Sequence, residues 1–237
     1  MTGQAYTAPA AAARPRERPA PDAASPLAPL AVAALCVLAL AAVWVVAELI
    51  PAAHARDATA LYKFTTLSRP HLDSLLEGLL TLLDPAQFVL WGVALAAVAI
   101  AEERPRVAVA VVLILALAPF TAEQLKPLLA HQHDHVGGIS IGPASWPSGH
   151  STAATALAMC AVLVSPPRLR RGVAVAGALF VAAVCVALLV LAWHMPSDVV
   201  GGILVAALWT ALAVAGLRLS ERIRPSARGE TMRAPAA

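Results

Sequence analysis

Pro147-Ser148-Gly149-His150, an apolar run at 150–165, a polar turn carrying Arg168, Arg170 and Arg171, a second apolar run at 172–192, and His194-Met195-Pro196-Ser197-Asp198 follow one another in this chain. One run out, a turn and one run back return the chain to the face it left. The two histidines, 44 residues apart, are therefore expected at the same face of a membrane. In the first motif Ser148 suits a helix N-cap, and Gly149 lets backbone approach an anion closely. The amides of a helix start carry partial positive charge and bind phosphate, and His150 can donate a proton to a leaving oxygen. An ordinary loop-to-helix turn would read the same way. In the second motif His194 and Asp198 are four apart and share a helix face, with Pro196 suited to the first turn. Asp198 can accept a hydrogen bond from one ring nitrogen of His194, which fixes the tautomer and leaves the other nitrogen as a nucleophile. Plain capping of a helix by Ser197 or Asp198 is the alternative.

Outward from this stretch the chain stays apolar. Of its 237 residues 59% are hydrophobic and 13% charged, against about 25% charged in a soluble domain. Six apolar spans are expected, near 28–50, 86–102, 106–122, 150–165, 172–192 and 198–217. Between 71 and 84, Leu72, Leu75, Leu76, Leu79, Leu80 and Leu83 recur at helical spacing with Asp73, Glu77 and Asp84 among them. This predicts an amphipathic helix, lying in the interface or packed on the bundle. The fold class is thus all-α, an integral membrane six-helix bundle with an interfacial amphipathic helix. Residues 1–26 and 221–237 are expected to be disordered cytoplasmic tails flanking a membrane domain at 27–220. Ala53-His54-Ala55 resembles a signal-peptidase site, but the preceding run is about 20 residues, longer than a signal peptide's usual apolar core, so a retained anchor is expected.

Charge orients the bundle. All but four of the 17 lysines and arginines fall on one side if the N-terminus is cytoplasmic; Arg56, Lys63, Arg69 and Lys126 face out. Both termini are then cytoplasmic, in the cell membrane, and Lys126, His150, His194 and Asp198 share the extracytoplasmic face. No basic stripe interleaved with aromatics appears, which excludes nucleic-acid binding as an expectation. Cys36, Cys160 and Cys185 sit inside apolar runs as packing residues, without disulfide or zinc spacing. Gly201-Gly202 offers close helix approach; oligomeric state is not readable.

With Lys126 ahead of them, these motifs resemble the type 2 phosphatidic acid phosphatase family (PAP2, or lipid phosphate phosphatase), whose signature runs K-x6-R-P, P-S-G-H and S-R-x5-H-x3-D. The chain matches at Lys126, at the whole of Pro147-Ser148-Gly149-His150, and at His194 and Asp198. It departs where the family has arginine: His133-Asp134 stands for Arg-Pro, and Ala187-Leu188 for Ser-Arg. Those arginines bind phosphate oxygens, and hydrogen bonds to charged groups contribute roughly 1.5–3 kcal/mol each. In His131-Gln132-His133-Asp134-His135 a protonated histidine, His133 above all, can stand in for a lost arginine. The same segment is also compatible with a metal site or a plain exposed loop.

The resemblance implies a membrane phosphatase that hydrolyses a lipid phosphate or polyprenyl pyrophosphate through a phosphohistidine on His194. Asp198 would orient His194, and His150 would act as acid and then base. Lys126, Ser148, Gly149 and His133 would bind the phosphate. No metal and no cofactor is expected; the partners are the lipid phosphate substrate and membrane lipids. A non-catalytic lipid-phosphate binder or transporter is the reading from another class, supported by the missing arginines.

Overall fold

Proline marks most helix starts in this chain, because it fixes φ near −65° and has no amide hydrogen to leave unsatisfied in the first turn. The computed structural model describes residues 25–130 and 141–223. Within them lie α1 (Leu27–Leu49), α2 (Pro51–Thr65), α3 (Pro70–Leu80) with a 3-10 turn at Thr81–Leu83, α4 (Pro85–Ala101), α5 (Pro105–Leu128), α6 (Gly149–Val164), α7 (Arg170–Val190) and α8 (Pro196–Ile223). Proline heads α2, α3, α4, α5 and α8. No strand occurs among the described residues.

All six expected spans are helical, as α1 and α4 to α8. Four of them, α1, α5, α7 and α8, have the length and hydropathy of crossing helices, and α3 with α4 forms a pair bent by 54° that passes the same test only when the two are counted together. The chain is a multi-pass membrane protein. Helix α6 is shorter: its 16 residues rise about 24 Å, less than the roughly 30 Å of a hydrocarbon core. Its place explains the length. It packs against α5, α7 and α8, and Ser151 to Leu157 are all buried, so it has no need of a lipid-facing stripe. At the other extreme α8 runs to Ile223, three residues into the expected C-terminal tail. Residues 1–24 and 224–237 of the tails, and the segment His131 to His135 with His133, lie outside the described residues.

The amphipathic helix is present as α3. Leu80 and Leu83 are buried, Leu76 and Leu79 pack against the core, and Leu75 is exposed, so its inner face rests on the bundle. Helix α2 was not read from the sequence. It carries Arg56, Asp57 and Lys63 and is weakly apolar overall, but His54, Ala58 and Leu61 recur at helical spacing and are buried, and it packs on α7 and α8. Ala53-His54-Ala55 lies inside this helix, with His54 buried and its Nδ1 3.1 Å from the Ala47 carbonyl.

Lipid gives no hydrophobic drive for helices to meet, so close contact depends on small residues. Gly202 of α8 lies against Ser151 and Thr152 of α6, and Gly201 against Trp146 just ahead of α6; Ala153, Ala154, Ala156 and Ala206 are also buried. The Gly201-Gly202 pair therefore serves packing inside the chain. At the far end of the bundle, Arg104 donates to the carbonyls of Leu163 and Val164 at the end of α6, and Arg106 to Ser220 near the end of α8. Both cations sit where the last carbonyls of a helix carry partial negative charge.

Helix α7 ends in a paired turn. The Trp193 amide donates to the Leu188 carbonyl at 2.9 Å and the Ala192 amide to Leu189 at 3.2 Å, with Ala192 in the left-handed region at φ 55°. This is the Schellman arrangement, which normally uses glycine, and it aims Trp193 and His194 back over the bundle. A non-glycine residue in this conformation carries about 1–2 kcal/mol of strain. Ala192→Gly is expected to raise the thermal midpoint of the detergent-solubilised protein, read by far-UV circular dichroism, and a lowered midpoint would show that the turn is not strained.

Candidate active site

The polar residues of the two motifs meet through main-chain atoms. Ser148 precedes α6 as its N-cap, and its hydroxyl accepts the Ser151 amide at 3.4 Å. Its own amide donates to the Asp198 carbonyl at 2.9 Å. Its carbonyl takes the hydroxyls of Ser151 and Thr152 at 3.2 and 2.8 Å, and the Ser151 hydroxyl also lies 3.0 Å from the Val199 carbonyl. Ser148 is fully buried. Ser148 is the expected N-cap through its hydroxyl, a bond within α6, while its amide joins α6 to α8. The amides of Gly149 and His150, in the first turn of α6, have no partner among the described residues, as helix starts dictate, and these are the donors left for an anion.

Gly202 makes the junction possible. A methyl built on it would collide with the Ser151 hydroxyl and the Ser148 carbonyl, and one on Gly201 would lie 2.8 Å from the Trp146 ring. Glycine at both positions lets α8 close on the cradle.

In the second motif the His194 Nδ1 lies 3.3 Å from Asp198 Oδ2, and the same oxygen accepts the Met195 amide at 2.9 Å. Met195 is the N-cap of α8 and Asp198 its third residue, so the carboxylate reaches back as in a capping box. The expected histidine hold and the expected cap are thus both present, made by one oxygen. Because that oxygen accepts, Nδ1–H donates, and Nε2 of the neutral ring is left with its lone pair. Asp198 is fully buried, and His194 keeps a small exposed edge, 12% of its side chain.

His150 is half-buried, and its ring meets Trp193 edge to face with centroids 5.6 Å apart. His194, Lys126, Asp84 and Glu123 are the charged and titratable groups whose fields reach it. Lys126 lies near the end of α5. Its Nζ is 3.6 Å from where a Gly149 Cβ would sit and 2.6 Å from Glu123 Oε1, which is itself 2.9 Å from that point. A carboxylate therefore occupies the mouth of the cradle beside the lysine. Glu123 was not read from the sequence, though its three-residue spacing from Lys126 on a helix was a usable signal.

Leu188, at the family's second arginine position, is fully buried in the core. Lys126 is the cation that the described residues place against the cradle. On the opposite side, Asp57 of α2 accepts the Ser197 hydroxyl at 2.6 Å and the Ser197 amide at 3.3 Å. Burial pushes the Asp57 carboxyl above its usual range, opposed by those two donors. No group of three or more metal-ligating side chains is found among the described residues.

Residues 30–221 match the profile of the PAP2 superfamily. The fold matches the crystal structure of the first transmembrane PAP2 type phosphatidylglycerolphosphate phosphatase from Bacillus subtilis, at a TM-score of 0.63 and 18% identity, over 83% of this chain and 98% of that one. No curated protein sequence matches the chain. The chain belongs to the PAP2 superfamily and has the membrane phosphatase fold.

Overpacking a close junction costs about 1–3 kcal/mol. Gly202→Ala is expected to lower the thermal midpoint in detergent, whereas Gly216→Ala, with nothing within 4 Å of the added methyl, leaves it unchanged or raises it. Equal midpoints for the two variants would rule out a tight α6–α8 junction.

Proposed function

We propose that this protein is a membrane phosphatase acting on a lipid phosphate or polyprenyl pyrophosphate at the extracytoplasmic face, through a phosphohistidine on His194. The observation that carries this reading is the convergence of a carboxylate-held histidine, a second histidine in the first turn of α6 and a lysine beside the helix-start amides, joined by the bond from the Ser148 amide to the Asp198 carbonyl. Nε2 of His194 attacks phosphorus while the leaving oxygen takes a proton from His150. Asp198 holds the imidazolium that results. Water then attacks the phosphorus of the intermediate, giving its proton to His150, and the bond to Nε2 breaks to release phosphate. Lys126 and the amides of Gly149 and His150 meet charge on the non-bridging oxygens.

Charge partition supports the orientation. Arg104, Arg106, Arg170 and Arg218 hydrogen-bond at the end of the bundle remote from His194, as expected for a cytoplasmic side. Among substrates, the structural neighbour is a phosphatidylglycerolphosphate phosphatase; phosphatidate and a polyprenyl pyrophosphate suit the same chemistry. His133 as a substitute for a lost arginine remains part of this proposal, tested by comparing the Michaelis constant and pH profile of His133→Ala with the wild type. The rival reading, a non-catalytic lipid-phosphate binder, draws on the buried Leu188.

The deciding experiment is phosphate release from these three lipids by the purified protein. His150→Ala and His194→Ala are each expected to lower the rate by at least 10²-fold, the lower range for a positioned acid–base group, and labelled phosphate should be trapped on His194. Full activity in His194→Ala removes the mechanism; binding without release from any of the three favours the binder. Glu123→Gln frees Lys126 from an exposed pair whose strength is about 0.2–1 kcal/mol. It is expected to lower KM by up to about fivefold, and an increase in KM would mean that Glu123 assists binding.

A further inference from the structure

Helix α8 has two of its first amides capped by carboxylates, and the second cap comes from far away in sequence. Met195 is capped by Asp198 of the same turn. Ser197, the next residue with an amide hydrogen, gives both its N–H and its hydroxyl to Asp57 on α2, 140 residues earlier. An anion there also meets the positive end of the helix dipole. Ser197 is buried and Asp57 half-buried. Between the two carboxylates lies the turn that carries His194 and Asp198.

We propose that Asp57 is a positioning residue for the His194–Asp198 pair: by clamping Ser197 it fixes the first turn of α8, and with it the direction of His194 Nε2. This rests on the phosphatase reading above. Asp57 needs no contact with the substrate in this role. It acts through Ser197, whose neighbour Asp198 supplies both the ring hydrogen bond and the carbonyl that receives the Ser148 amide. A slack first turn would let the nucleophile and the cradle drift relative to each other. Misplacement by about 1 Å costs on the order of 10²-fold in rate. It also gives α2 a function: this short polar helix brings one carboxylate to the start of α8.

The test uses the full-length protein in detergent and phosphate release from phosphatidate, phosphatidylglycerolphosphate and a polyprenyl pyrophosphate. Asp57→Ala is expected to lower kcat by about 10- to 100-fold with KM within a factor of about three. Asp57→Asn, whose amide oxygen still accepts from Ser197, should recover most of that loss. Ser197→Ala, which keeps the amide bond and removes the hydroxyl, should fall between. Adding Ser197→Ala to Asp57→Ala should cost little more, since both break one clamp. Wild-type kcat in Asp57→Ala, equal losses in the Asn and Ala variants, or a rise in KM at unchanged kcat would each overturn the clamp. Should Asp57→Ala fail to give a monodisperse protein, Asp57→Asn and Ser197→Ala decide it: near-wild-type kcat for the first with a several-fold loss for the second supports the clamp, and any other pairing overturns it. Absence of release by the wild type on all three lipids overturns the phosphatase reading itself, an outcome distinct from active wild type with an indifferent Asp57.

Discussion

The bond from the Ser148 amide to the Asp198 carbonyl is the constraint on which the rest of the site depends. It joins the start of α6 to the start of α8 and satisfies the Ser148 amide, a donor that would otherwise lack a partner in a low-dielectric interior. Gly202 lets the helices come close enough for it, and the hydroxyls of Ser151 and Thr152 satisfy the surrounding carbonyls. With that junction closed, His150 and His194 face one another's surroundings, and Trp193 fills the space beside the His150 ring.

The two ends of the bundle are built differently. One holds carboxylates, histidines and a lysine in close hydrogen-bonded contact. The other is held by arginines that cap helix C-termini, Arg104 on α6 and Arg106 on α8. Each arginine neutralises carbonyls that no residue further along the helix can satisfy. The same residues that give the chain its charge asymmetry therefore also finish its helices.

Much of this was legible from sequence because it depends on local pattern. Apolar runs long enough to be helices, prolines at their starts and the four-residue spacing of His194 and Asp198 are properties of short windows. The 71–84 pattern gave the amphipathic helix, and α3 resolves its two readings in favour of an inner face resting on the bundle. What stayed hidden depends on distant contacts. Helix α2 is too polar overall to stand out as an apolar run, and Asp57 meets Ser197 across 140 residues, a pairing no window contains. The role of Ser148 was half legible: its capping hydroxyl follows from its position, but the spending of its amide on Asp198 does not. The extent of α6 was legible, 150–165 against Gly149–Val164; that protein encloses it, and so frees it from the bilayer's length requirement, was not.

The register of the site is held in main-chain atoms, and this separates two properties that proteins often couple. Glu123, at the mouth beside Lys126, is an exposed side chain that takes no part in the main-chain bond joining α6 to α8. Substitution there can change what the mouth grips without displacing the histidines that the junction aligns.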